Sequence, residues 1–163
     1  MSLTQELAHS LFEYKDGQLF RKIAPRGFKV GQKAGTINGE GYSAIRINGK
    51  KYMAHRIIYL MHHGYLPEFI DHINNNRADN HIENLRPVTK QQNSQNAKLR
   101  QNSSSGYKNV RWHKTWNSWQ VAMRIDGKET NFGYYKDIEL ADLVATEARD
   151  KHYGKYANHG ASL

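Results

Sequence analysis

Apolar and polar positions alternate over two short stretches near the start of the chain. Leu11–Arg21 (LFEYKDGQLFR) carries apolar runs on either side of Asp16-Gly17, and Tyr42–Ala54 (YSAIRINGKKYMA) repeats the pattern around Asn48-Gly49. An Asp-Gly or Asn-Gly pair between such runs predicts a tight hairpin, because both residues tolerate the positive φ of the turn. From about His55 the period changes, and HRIIYLMHHG predicts a short helix ended by Gly64. Phe69–Leu85 (FIDHINNNRADNHIENL) is different in texture, rich in Asn, Asp and His and poor in apolar residues. Pro87 and Thr89 then lead into a polar helix over roughly Thr89–Arg100, with Thr89 as the expected N-cap. Gln101–Gly106 (QNSSSG) has linker composition. Beyond it, Val110–Trp112, Trp119–Ile125 and Glu129–Tyr134 read as strands, with turns near Trp116–Ser118 and at Asp126-Gly127. Asp137 caps a final helix with Ile138, Ala141, Val144, Ala145 and Ala148 on its inner face, ended by Gly154. The pattern predicts an α+β chain in two domains, residues 1–100 and 107–163, joined by a linker at 101–106. The second is a three-stranded antiparallel sheet packed on one helix.

Composition narrows the function classes. The chain lacks cysteine, which removes disulfides and thiolate zinc sites. Its mean hydropathy is −0.84, no apolar run is long enough to span a bilayer, and MSLTQELAHS lacks signal-peptide order. A cytoplasmic protein with no membrane partner is expected, in the host cell if it is viral. Net charge is +9, from 24 Lys and Arg against 15 Asp and Glu, which favours a polyanionic partner. The excess is concentrated early: residues 1–100 carry 15 basic against 8 acidic side chains, residues 101–163 carry 9 against 7.

The chemistry concentrates between residues 71 and 96. Phosphodiester hydrolysis needs a base for water, a cation for the developing charge, and a group to orient the base. Asp71 offers a hard carboxylate oxygen and Asn93 an amide oxygen, suited to Mg²⁺ or Mn²⁺. His72 can take a proton near neutral pH, and Asn84 can hold its ring in one tautomer. Successive strand residues face opposite ways, so Asp71 and His72 share a site only where their strand ends or twists. An Asn-rich loop on its own is an ordinary turn former. His55 fits a structural and a supporting role equally, Asn96 a structural or supporting one, and Arg100 a phosphate contact or a solvated position. His62 and His63 suit a helix C-terminus, and a zinc site from His62, His63, His72 and His81 is disfavoured.

DHINNNRADNHIENLRPVTKQQNSQN resembles the HNH endonucleases, specifically the group with freestanding and intron-encoded phage homing enzymes. His55-Arg56 behind a hairpin looks like the segment leading into that core, so the resemblance covers roughly residues 11–100. It implies a ββα-metal fold, Asp71 and Asn93 as metal ligands, His72 as general base and Asn84 as its orienting partner. The substrate would be double-stranded DNA. Asn93 stands where His is frequent in the family, which implies a hard cation rather than zinc.

Residues 105–157, with Gly106-Tyr107, Val110-Arg111-Trp112, Trp119, Phe132-Gly133 and an Ala-rich helix, resemble the Apetala-type DNA-binding domain of plant ethylene-response factors. That resemblance implicates Arg111, Trp112, Lys114, Trp119 and Arg124 in DNA contact. Strand alternation also lets some of the tryptophans pack against the helix instead. The resulting expectation is a metal-dependent DNA endonuclease targeted by a separable second domain. The alternative is a non-catalytic DNA-binding regulator on the same scaffold. Target sequence, nicking versus double-strand cutting and oligomeric state stay open.

Overall fold

The computed structural model describes residues 3–99 and 103–160. Their contacts form two compact units, residues 1–90 and 91–163.

The first unit starts with a helix that the alternation did not predict, α1 (Gln5–Leu11). Thr4 caps it, its hydroxyl accepting from the Leu7 N–H at 3.2 Å. Strands β1 (Phe12–Lys15) and β2 (Gln18–Arg21) form the first expected hairpin. Asp16 and Gly17 both have positive φ, 48° and 71°, so the turn is of the primed type that matches strand twist. A short β3 (Thr36–Ile37) joins the second hairpin, β4 (Ser43–Ile47) and β5 (Lys50–Met53), in a three-stranded antiparallel sheet. Helix α2 (Ala54–His63) follows and stops at Gly64, whose φ of 75° closes the last turn onto the Leu60 carbonyl. It is the core element of the unit: Ile57, Ile58, Tyr59 and Met61 pack with Ala8, Phe12, Leu19, Ile45, Ile47 and Leu85. Strands β6 (Phe69–His72) and β7 (Leu85–Val88) then pair antiparallel.

The second unit includes most of the polar helix, α3 (Lys90–Asn96), which is shorter than expected. The division therefore falls ten residues before the expected linker. The reason is hydrogen bonding at the helix's C-terminal end. Lys108 Nζ donates to the Gln95 and Ala97 carbonyls at 2.8 and 2.7 Å, and Asn158 Nδ2 to the Asn96 carbonyl at 3.0 Å. Strands β8 (Val110–His113), β9 (Ser118–Ile125) and β10 (Lys128–Tyr135) form the expected antiparallel sheet in the order β10-β9-β8. One face packs on α4 (Ile138–Tyr153), through Val110 and Val121 against Ala141 and Ala145. Asp137 caps α4 as expected, accepting from the Leu140 N–H at 2.9 Å. Of the expected inner face, Ala141, Ala145 and Ala148 are buried, while Ile138 and Val144 are partly so. Arg149 is wholly buried, donating through Nη2 to Thr146 Oγ1 at 2.8 Å and through Nη1 to the Lys108 carbonyl. Among the described residues no helix is long and apolar enough to cross a membrane.

Candidate active site

The antiparallel register of β6 and β7 decides where the first two candidate residues go. Asp71 sits directly opposite Arg86 and His72 opposite Leu85. Asp71 is 8% exposed, and Arg86 grips its Oδ2 through Nε at 3.1 Å and Nη2 at 2.9 Å. His72, the last residue of β6, is 4% exposed. Its Nε2 lies 3.0 Å from Asn80 Oδ1. An amide oxygen only accepts, so Nε2 carries the proton and Nδ1 is the basic atom of the neutral ring.

His72 has an aromatic surround. The His55 ring on α2 meets it edge-on at 5.1 Å, and Tyr42 lies 5.3 Å from His55 and 6.0 Å from His72. Burial, with the neighbouring His72 and Arg56, pushes His55 down to about 3, so its imidazole is neutral. Its Nδ1 is buried and has no hydrogen-bond partner among the described residues. His55 thus stands beside the candidate base.

Asn84 is a correction. It makes no hydrogen bond to His72. Its Oδ1 accepts from the Asn74 N–H at 3.0 Å, and its Nδ2 donates to Asn74 Oδ1 at 3.0 Å and the Asp79 carbonyl at 2.8 Å. The Asn84 carbonyl also accepts from the Ile73 N–H at 2.9 Å. Asn84's amide is engaged within the 73–84 loop, and the side chain hydrogen bonded to the His72 ring is Asn80. The loop's composition now has a physical account. Asn74 and Asn76 accept from the N–H groups of Asn76 and Ala78, and Asn74 Nδ2 donates to Asp79 Oδ2 at 2.6 Å. These Asx turns replace the ladder that the backbone lacks here. Asp79 Oδ1 also binds His81 Nδ1 at 2.6 Å, which lowers the carboxyl and raises the imidazole from their usual ranges. The first hairpin braces the loop: Tyr14 Oη accepts from the Ile82 N–H at 3.2 Å, and a Cβ on Gly17 would come within 3.0 Å of His81.

Asn80 and Arg86 were missed because nothing local marks them. Asn80 is one Asn among several, and Arg86 becomes Asp71's partner only through register. Asn93 is exposed on α3, its side chain without a hydrogen-bond partner among the described residues. Asn96 is 3% exposed. Arg100 lies outside the described residues. His62 packs its ring on Tyr14 at 4.6 Å, its Nδ1 2.8 Å from the Ile58 carbonyl. Among the described residues no three His, Cys, Asp or Glu side chains gather as a metal cage. The donor set is oxygen-rich and thiolate-free, which fits a hard cation taking few protein ligands.

In the second unit the pleat sorts the candidate DNA contacts onto two faces. Trp112 and Trp119 are cross-strand partners, their rings 4.9 Å apart, and Trp119 packs against the helix-side core. Both therefore lie on the helix side, with Trp112 41% exposed. The open face carries Arg111, Gln120, Arg124, Glu129, Asn131 and Tyr134. A bulge between Asn131 and Gly133 keeps Asn131 and Tyr134 on that face while Phe132 turns to the core. Arg111 donates to Gln120 Oε1 at 2.9 Å and Glu129 Oε1 at 2.6 Å, and Gln120 reaches Tyr134 Oη at 3.2 Å. Lys114 and Arg124 are exposed.

Comparison with known proteins adds to this geometry. The HNH endonuclease family model matches residues 52–95, a span running from β5 through α2, β6 and β7 into α3. Protein 3.8 of Escherichia phage T7 is 30% identical over 89 residues, covering 55% of this chain and 73% of that protein. No solved structure matches the chain.

Proposed function

We propose, on the premise that this chain belongs to the same family as Protein 3.8 of Escherichia phage T7 and carries an HNH endonuclease domain, that it is a divalent-metal-dependent endonuclease hydrolysing phosphodiester bonds of double-stranded DNA. The observation that carries this reading is the His72 ring inside the matched segment, buried and held by Asn80 through Nε2. That bond sets the tautomer in which Nδ1 is the ring's basic atom, the one to accept a proton from water, and burial beside His55 and Tyr42 keeps the base from being scattered over rotamers. Asp71, fixed by Arg86, would hold Mg²⁺ or Mn²⁺, with Asn93 a second ligand that the family resemblance alone implies. The cation, when bound, would stabilise the charge that builds on phosphorus and on the leaving oxygen. His72 delivers the attacking water in line, and the products are a 5′ phosphate and a 3′ hydroxyl.

The second unit serves as the DNA-holding module in this reading, in keeping with its resemblance to Apetala-type domains. Arg111 and Arg124, with Lys114 at the β8–β9 turn, supply its contacts from the open face. Trp112 and Trp119 support it from the helix side. We infer a homing-type role in a phage or mobile element, for which the phage source of the matched relative is the support.

The test is incubation of the purified chain with supercoiled plasmid and Mg²⁺ or Mn²⁺. Open-circle or linear product is expected, abolished by EDTA and by His72→Ala. DNA binding without cleavage by the wild-type chain under any divalent cation would turn the reading to the non-catalytic regulator.

A further inference from the structure

The first hairpin carries a cation that the fold leaves without a counter-charge. Arg21, the last residue of β2, is only 8% exposed. Its guanidinium has no hydrogen bond or ion pair with any described residue, and its Nε is buried and unpartnered. It lies over the Phe28 ring, whose centroid is 4.1 Å from the guanidinium carbon. Taking an arginine out of water without an anion is costly, and an aromatic face recovers only part of that cost. The surroundings make the imbalance worse. Arg21 lines a groove of about 560 Å³ together with Lys33, Arg46 and Lys51, and among the described residues no Asp or Glu lines it. Arg46 and Lys51 are directly opposed across the β4–β5 ladder, where like charges repel. Each of these three side chains is exposed and unpaired among the described residues.

We propose that this groove is an anion site that takes a phosphodiester group of the nucleic-acid backbone, with Arg21 as its buried anchor and Lys51 and Arg46 at its rim. The inference rests on DNA being the substrate and deepens that reading, since it gives the nuclease unit a grip on DNA apart from the His72 site. A guanidinium fixed against an aromatic ring presents its N–H groups to phosphate oxygens with little freedom left to lose. Four cations around one groove are the arrangement that phosphate neutralises, and they repel one another when it is empty.

The site predicts two effects of opposite sign in the full-length chain. Arg21→Met keeps an unbranched apolar stem at this position and removes the charge that lies against Phe28. The free protein should melt at a higher temperature than wild type, while its DNA binding, measured by anisotropy in EDTA, should weaken. The slope of log K against log salt should become shallower by ~1, the signature of one lost phosphate contact. Lys51→Gln, an exposed change that does not touch the core, should flatten the slope in the same direction. The proposal is overturned if Arg21→Met lowers the melting temperature and Lys51→Gln leaves the salt slope unchanged, since Arg21 is then a structural cation. It is also overturned if inorganic phosphate at matched ionic strength stabilises wild type but not Arg21→Met while both bind DNA equally, because the site then serves free phosphate. These readouts need no cleavage. A wild-type chain that binds DNA and fails to cut would sink the nuclease reading and leave the salt-slope result standing.

Discussion

Acidification should destabilise the first unit through His55. This imidazole is 7% exposed and is held down to about 3, chiefly by burial, against an ordinary value of about 6.5. The folded-state value lies below the unfolded one, so the unfolded chain binds more protons between pH 6.5 and 3. The contribution is therefore complete above pH 6.5 and is lost as pH falls towards 3. Linkage makes the loss between pH 7 and pH 5 about 2 kcal/mol from this one residue, and about 3 kcal/mol by pH 4. That is a large fraction of the ~5–15 kcal/mol that holds a domain folded. All three tryptophans lie in the second unit, so their fluorescence reports on that unit and not on this loss. The assay is urea unfolding followed by far-UV circular dichroism at pH 7 and pH 5, alongside the His55 ring resonances in NMR. His55→Phe keeps a ring beside His72 and should lose about 2 kcal/mol less over the same interval. Equal losses in wild type and His55→Phe, or a His55 resonance that titrates near pH 6, would refute the reasoning.

Three further outcomes follow from particular contacts. Asn80→Ala should slow single-turnover cleavage ~10–100-fold, as loss of an orienting outer-shell partner does, with DNA affinity in EDTA unchanged; a wild-type rate would remove Asn80 from the site. Glu129→Gln frees Arg111 from an ion pair whose side chains are 56% and 59% exposed, so it should tighten DNA binding at low salt with little effect on melting temperature; weaker binding would mean that Glu129 presents Arg111 rather than restrains it. Lys108→Met should lower the melting temperature followed by tryptophan fluorescence, because Lys108 Nζ caps α3 through the Gln95 and Ala97 carbonyls; an unchanged melting temperature would show that α3 needs no such support. Lys108→Arg, which keeps the charge, should restore part of that loss.

Local chemistry made much of this protein legible. Asp16-Gly17, Asn48-Gly49 and Asp126-Gly127 all adopt the paired positive φ angles that their residue types favour, so three hairpins could be read from six residues. Gly64 and Asp137 likewise terminate and cap helices through atoms of their own segment. Helix α1 was legible in principle, since Thr4 caps it, but its seven residues are too few to show a period. The Asp71-His72 pair was visible because its two residue types are adjacent in sequence. Its partners were not. Arg86 reaches Asp71 through strand register, and Asn80 reaches His72 because a loop tied by Asn74, Asp79 and Asn84 carries it there. Asn84 was assigned to the imidazole because its type suits that role, yet the fold uses its amide to close the loop. The polar segment KQQNSQN shows the same limit. It has no apolar residue to say which body it joins, and the cap that places it comes from Lys108 and Asn158, 11 to 62 residues away. Turn and cap preferences act within a few bonds and are written in short words of sequence. Partnerships between distant side chains depend on where the packed backbone brings them, and that is settled by burial over the whole unit.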